Sequence, residues 1–212
     1  MVAPDWAMRL SPRREWAARM VLAAGVATQL LYVATHDRGS HSIWYAPTAI
    51  LLGTMVLVFG PRNALATWPM RAFLSLTFLG SVGDRFGLLG RAGSPGVSWG
   101  SFGAFESYTR EVTSFLPGSW AGPLAVLATI AELSVGIGIV AGRFPWGAFA
   151  ARVATCLLMV FGIAMTISLG WRAPFEYCVW LLAGSTWVLA LPVRATWHRR
   201  SVRTVPPAGV GG

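Results

Sequence analysis

Charged side chains stand at four places where an otherwise apolar chain should hold none. Asp84 and Arg85 are neighbours in "SVGDRFGLLG", Glu132 lies inside "ATIAELSVGIGIV", and Arg152 inside "WGAFAARVATC". At the centre of a bilayer a charge costs about 2.5–3.5 kcal/mol on insertion scales, so each must pair, reach water or do chemistry. Three chemistries fit: ion pairs that fix helix packing, a polar pocket for a ligand, or a path for a solute. Metal chemistry has no support in the spacing. Cys156 and Cys178 are isolated, and His36, His41 and His198 fall in predicted loops on opposite sides of the membrane.

Depth along the predicted helices, at about 1.5 Å per residue, sorts these residues. Asp84 stands about 21 Å from the inner end of its helix, close to the outer face, where Arg85 is expected to snorkel outward. Asp84 cannot reach so far and needs a donor or a wet cavity. Glu132 stands about 14 Å from the inner end of its helix and Arg152 about 9 Å from that of the next. The gap of about 5 Å is within an arginine's reach, so Glu132 and Arg152 are predicted to pair. In "WRAPFEYCVW", Pro174 suits a helix start and Glu176 its positive dipole end. A second reading gathers Asp84, Arg85, Arg172, Glu176 and Tyr177 at one depth beneath a loop carrying Trp99, Tyr108 and Arg110. That set would make an aromatic-lined outer polar pocket. Against it, Asp84 and Arg85 serve equally as bridges between helices and loop, beside the small-residue step Gly83-x-x-x-Gly87. The cysteines are predicted about 10 Å apart along the membrane normal, too far for a disulfide.

The elements that must position these residues follow from composition. Of 212 residues, 55% are hydrophobic and 12% charged, half the charge of an ordinary soluble domain at about 25%. The mean hydropathy is +0.57. The net charge of +9 comes from 17 arginines with no lysine. In a soluble protein that balance would suggest nucleic acid, but here the arginines lie between apolar runs, which excludes that partner. The expected solvent is a lipid bilayer.

Six stretches reach the length a bilayer needs, about 17–25 residues: 17–35, 43–60, 70–89, 119–141, 146–169 and 175–192. The first also resembles a secretory signal, but Tyr32 at the −3 position disfavours cleavage after Ala34, and it is read as a span. Twelve of the 17 arginines fall at the inner side when both termini are cytoplasmic. Trp16, Trp68, Trp146 and Trp197 then mark the inner boundary, and Trp44, Trp120 and Trp171 the outer. The long connection 90–118 places Phe102, Phe105, Thr109 and Val112 at helical spacing, which predicts a short amphipathic helix on the outer side. The expectation is an all-α, polytopic helix bundle of one membrane domain, 1–212, in a bacterial cytoplasmic membrane, with 193–212 a disordered cytoplasmic tail.

From about 70 to 192 the chain resembles the DoxX family of small four-helix membrane proteins, relatives of the thiosulfate:quinone oxidoreductase subunit DoxD. The matching pieces are "DRFGLLG", "SWGSFGAFESYTREVTSFLP", "ATIAELSVGIGIVAGRF", "LLMVFGIAMTISLG" and "APFEYCVW", in family order. In the last, Glu176 and Cys178 stand where the family often has aspartate and serine. The spans within 17–60 are extra to that core. The resemblance implies membrane location and a link to quinone or thiol redox chemistry, with quinone as the expected cofactor and a redox protein as the expected partner. Residue chemistry leaves two further functions open. One is a non-catalytic scaffold or anchor for a redox partner. The other is a small-molecule transporter, which the lack of paired broken helices weakens.

Overall fold

The computed structural model describes residues 12–36, 44–61, 63–141 and 146–191. The predicted tail, 193–212, and the hairpin turn at 142–145 lie outside them. The described residues form eight α-helices: α1 Pro12–Thr35, α2 Tyr45–Phe59, α3 Ala64–Arg85, α4 Phe102–Val112, α5 Ala121–Ala141, α6 Trp146–Ser168, α7 Ala173–Glu176 and α8 Val179–Leu189. A 3-10 turn, Gly118–Trp120, leads into α5.

Among the described residues, three segments are long and apolar enough to cross a bilayer: Arg13–Thr35, Gly118–Ala141 and Trp146–Ser168. Two further apolar helices, α2 and α8, are shorter, at 15 and 11 residues. Helix α3 has the length, with 22 residues, but carries Arg71, Asp84 and Arg85. The outward faces are apolar, with Leu31, Leu51, Val58, Leu76, Ile130, Val160 and Ile167 all exposed. Contiguous apolar surface of this kind is compatible with contact to lipid.

Helix α8 is the axis of the molecule. Of Val179–Leu189 only Trp187 is exposed, and α1, α2, α3 and α6 pack around it. α5 closes the remaining side by packing on both α3 and α6. Apolar helices in a bilayer gain little from water exclusion, so close approach through small residues has to hold them. A Cβ at Gly184 would stand 2.9 Å from the Leu22 Cα, and one at Gly25 would stand 3.0 Å from the Leu181 Cα. α1 and α8 therefore meet backbone to backbone.

Two predicted spans change shape. The third, expected at 70–89, runs instead from Ala64 to Arg85. Asn63 caps its start by accepting the Leu65 N–H at 2.9 Å. Gly87, at φ +71°, turns the chain away after its end. The last, expected as one helix over 175–192, is broken. α7 ends at Glu176, Cys178 adopts a left-handed φ of 54°, and α8 starts again at Val179. A non-glycine residue held there costs about 1–2 kcal/mol. The buried surroundings of Cys178, which has no exposed surface, hold it in place.

Helix α4 folds over one end of the bundle, hereafter the lid end. Ser101 caps its start by accepting the Ala104 N–H at 3.2 Å. Its buried positions are Phe105, Thr109 and Val112, the face set by the spacing of its apolar residues. Ser168 donates to the Val112 carbonyl at 2.7 Å and so ties the lid to the end of α6.

Candidate functional site

The polar centre is built where α3 meets α5 beneath the lid. Asp84 and Arg85 are adjacent but point apart, as neighbours about 100° around a helix must, and they do separate jobs. The Asp84 carboxylate is 4% exposed. It accepts three backbone N–H bonds from the loop before α4: Ser98 at 2.8 Å and Trp99 at 3.1 Å on Oδ2, and Gly100 at 2.9 Å on Oδ1. The loop can wrap the carboxylate because Gly100 takes φ +65°; a Cβ there would strike the Ala92 backbone. Asp84 thus pins the lid loop to α3 through charge-assisted bonds.

Arg85 turns inward and is 1% exposed. Its Nη2 donates to both Glu132 oxygens at 2.7 Å and to the Ser81 hydroxyl at 3.0 Å. Its Nη1 donates to Thr129 Oγ1 at 2.9 Å. The lid covers the guanidinium with aromatic faces, Phe105 at 3.5 Å and Trp99 at 5.3 Å from ring centroid. Trp99 packs edge-on against Phe105 and tilted against Tyr108, which reaches Phe161 of α6. Burial, then the charges of Tyr177, Glu111 and Glu176, push the Tyr108 hydroxyl above its usual range, so it stays protonated.

This corrects two expectations. Arg85 does not snorkel outward, and Glu132 does not pair with Arg152. Helical side chains lean toward their own N-terminus. α3 begins at the far end, so Arg85 leans down from the lid; α5 begins at the lid end, so Glu132 leans up to meet it. α6 begins at the far end, so Arg152 leans away from Glu132, and it is exposed.

The predicted outer pocket divides. Asp84, Arg85, Trp99 and Tyr108 come together at the lid. Arg110 is exposed and paired with Glu106 at 3.3 Å on the lid's own surface. Tyr177 is half-buried against the core, and Glu176 is exposed. Arg172 is exposed and lies 5.4 Å over the Trp171 ring. Trp171 belongs to a second aromatic group with Tyr32, His36 and Phe175, where α1 meets α7. Cys156 is exposed on α6, and Cys178 is buried. Among the described residues, no three His, Cys, Asp or Glu side chains gather as a metal set.

Several residues that sequence reasoning passed over shape these sites. Thr129, Ser81 and Phe105 complete the Arg85 shell. At the far end Arg71 donates to the Ile139 carbonyl at 3.2 Å and to the Leu189 carbonyl at 3.4 Å. There it meets the negative ends of both α5 and α8. Between these ends, Ser75 donates to the Gly136 carbonyl at 2.7 Å. The signal for this ladder was present in α3, whose polar residues 71, 75 and 85 recur on one face.

A lateral groove of about 540 Å³ opens between α1 and α6 with α8 as its floor, lined among others by Val21, Ala24, Gly25, Met159, Trp180 and Trp187. Its size lies within the range of ligand-holding pockets, about 300–1,000 Å³. No protein family, curated protein or solved structure matches this chain.

Proposed function

We propose that this protein is a six-span integral subunit of a bacterial cytoplasmic membrane, DoxX-like over 70–192, with both tails cytoplasmic. In this reading it serves quinone-linked redox chemistry of a sulfur compound or a thiol. The observation that carries the proposal is the apolar lateral groove, a place for a lipophile to enter from the bilayer beside the central helix. The chain holds the quinone, and a redox protein partner brings the electron carrier.

A second reading, a non-catalytic scaffold for such a partner, is favoured by the polar centre. There Asp84, Arg85 and Glu132 spend their bonding on one another and on the lid, as a brace does. Transport draws no comparable support, because Asp84, Arg85 and Glu132 are all buried and Phe105 and Trp99 cover the Arg85 guanidinium.

Purification in mild detergent, followed by mass spectrometry of co-eluting proteins and of an organic extract, tests the proposal. Retained quinone together with a partner carrying a redox centre supports it. A stoichiometric partner without quinone supports the scaffold reading instead, and neither would overturn both.

A further inference from the structure

Helix α6 carries one charged side chain, Arg152, and it stands on the face that walls the lateral groove. We infer that the groove holds an acyl chain of an anionic phospholipid whose phosphate is bound by Arg152. The inference stands apart from the quinone-linked reading, since a lipid chain and a quinone tail would compete for one slot.

Arg152 lies about 9 Å past Trp146 along an apolar helix. It is exposed and has no hydrogen bond or ion pair among the described residues. Steps of three and four keep residues 152, 155 and 159 on one helix face. Thr155 and Met159 of that face line the groove, so Arg152 continues its wall one turn toward the far end. The side chain leans the same way, because α6 begins there. Trp16, Trp68 and Trp146 are all exposed at the far end, the residue type that settles at headgroup level. An arginine that snorkels to that level meets lipid phosphate, which its planar fork matches.

The charge balance at the far end favours an anion. Glu15, the one acid described there, is paired with Arg19 at 3.0 Å. Arg71 is spent on the Ile139 and Leu189 carbonyls. Arg152 is left unpaired, as is Arg14, which precedes Val21 by seven residues and so shares the groove-facing stripe of α1. A zwitterionic head brings its own cation, for which no free acid is described at this end. The other end of the groove is less suited, because Arg172 is offset there by Glu176, both charges acting on Tyr32.

Between the two ends the walls offer hydrocarbon. The two groove hydroxyls are already committed: Thr28 donates to the Ala24 carbonyl at 2.8 Å, and Thr155 to the Ala151 carbonyl and Thr186 at 2.9 Å. The α1 wall, Val21 to Thr28, spans about 10 Å of helix. Such a slot suits a single apolar chain below a charged head.

The test titrates the delipidated full chain in detergent with phosphatidylglycerol and with phosphatidylcholine of identical chains, read by native mass spectrometry. Phosphatidylglycerol is expected to bind about fivefold more tightly, the weight of one arginine at an anionic headgroup. Arg152→Gln should bring the two lipids to equal affinity, whereas Arg152→Lys and Arg172→Gln should keep the preference. Ala24→Trp, which fills the groove from an exposed position, should weaken both lipids. Dihexanoyl phosphatidylglycerol, with the same head and chains too short for the slot, should bind weakly to the unaltered protein. Equal affinity for the two lipids, or a preference that survives Arg152→Gln, overturns the inference. So does a preference lost on Arg172→Gln instead, which would put the head at the lid end. Long-chain binding no tighter than that of the dihexanoyl lipid overturns the placement of the chain, as does a stable dimer of this protein that excludes lipid.

Discussion

Removing the Glu132 charge isolates the one buried ion pair whose partners the structure assigns against expectation. Arg85 is 1% exposed and Glu132 7%, and the bonds between them are 2.7 Å long. Unit charges about 4 Å apart attract by about 4 kcal/mol at an effective dielectric near 20. Losing one partner of a buried pair costs about 3–5 kcal/mol, because the other is left charged and unmatched. Glu132→Gln should therefore lower the melting temperature by about 6–20 °C in a chain of this size. The Arg85→Met, Glu132→Leu double variant removes both charges and should regain most of that loss. It would still lack the contact with Phe105 and Trp99, about 0.5–2 kcal/mol. Thr129 is not orphaned in that variant, since its hydroxyl also donates to the Ala125 carbonyl at 2.7 Å. Arg152→Gln, at an exposed position, should shift stability by no more than about 0.5 kcal/mol. Thermal scans of tryptophan fluorescence in one detergent would read all four proteins. If Glu132→Gln melts with the parent while Arg152→Gln collapses, the pairing drawn here is wrong.

Other parts of the structure make their own demands. Asp84→Asn replaces acceptor capacity facing three backbone N–H groups with an amide that can accept at only one oxygen. Amide exchange at Ser98, Trp99 and Gly100 should rise and proteolysis in 91–101 should accelerate, with the far end of the bundle unchanged. Gly80→Ala should stabilise the chain by about 0.5–1 kcal/mol, since a methyl there meets nothing within 4 Å. Gly184→Val should prise α1 from α8 and leave little folded protein after detergent extraction; a normal yield would refute the close approach. Arg71→Met removes the donor to the Ile139 and Leu189 carbonyls and should speed exchange at that end without disturbing the lid.

The helices were legible because apolar length is a strong signal, and α4 was legible because Phe102, Phe105, Thr109 and Val112 keep one face. What escaped was direction and local breakage. Depth counted along a helix axis places the Cα atom, whereas Arg85 and Glu132 meet because their side chains lean along antiparallel helices toward each other. The break at Cys178 carries no glycine or proline, the residues that usually announce one, so continuous apolar sequence over 175–192 hid it. Asp84 was recognised as needing a donor. That its donors are three consecutive backbone N–H groups depends on loop geometry that Gly87 and Gly100 permit but do not advertise.

The arrangement divides the molecule into a braced half and an open half. Along α3 and α5, Arg71, Ser75 and Arg85 each bond across to the neighbouring helix, at the far end, the middle and the lid. A slip of one helix past the other would break all three together, so the ladder fixes a single register even where each bond adds little net stability. Across the axis, α1 and α6 leave the flank of α8 uncovered, with Gln29 tied to the Phe175 carbonyl at one end and Thr155 to Thr186 further along α8. A chain that served only to brace could have filled this gap with one larger residue at Ala24 or Ala183. Small residues kept facing a groove are what the proposed lipophile site would need and a brace alone would not.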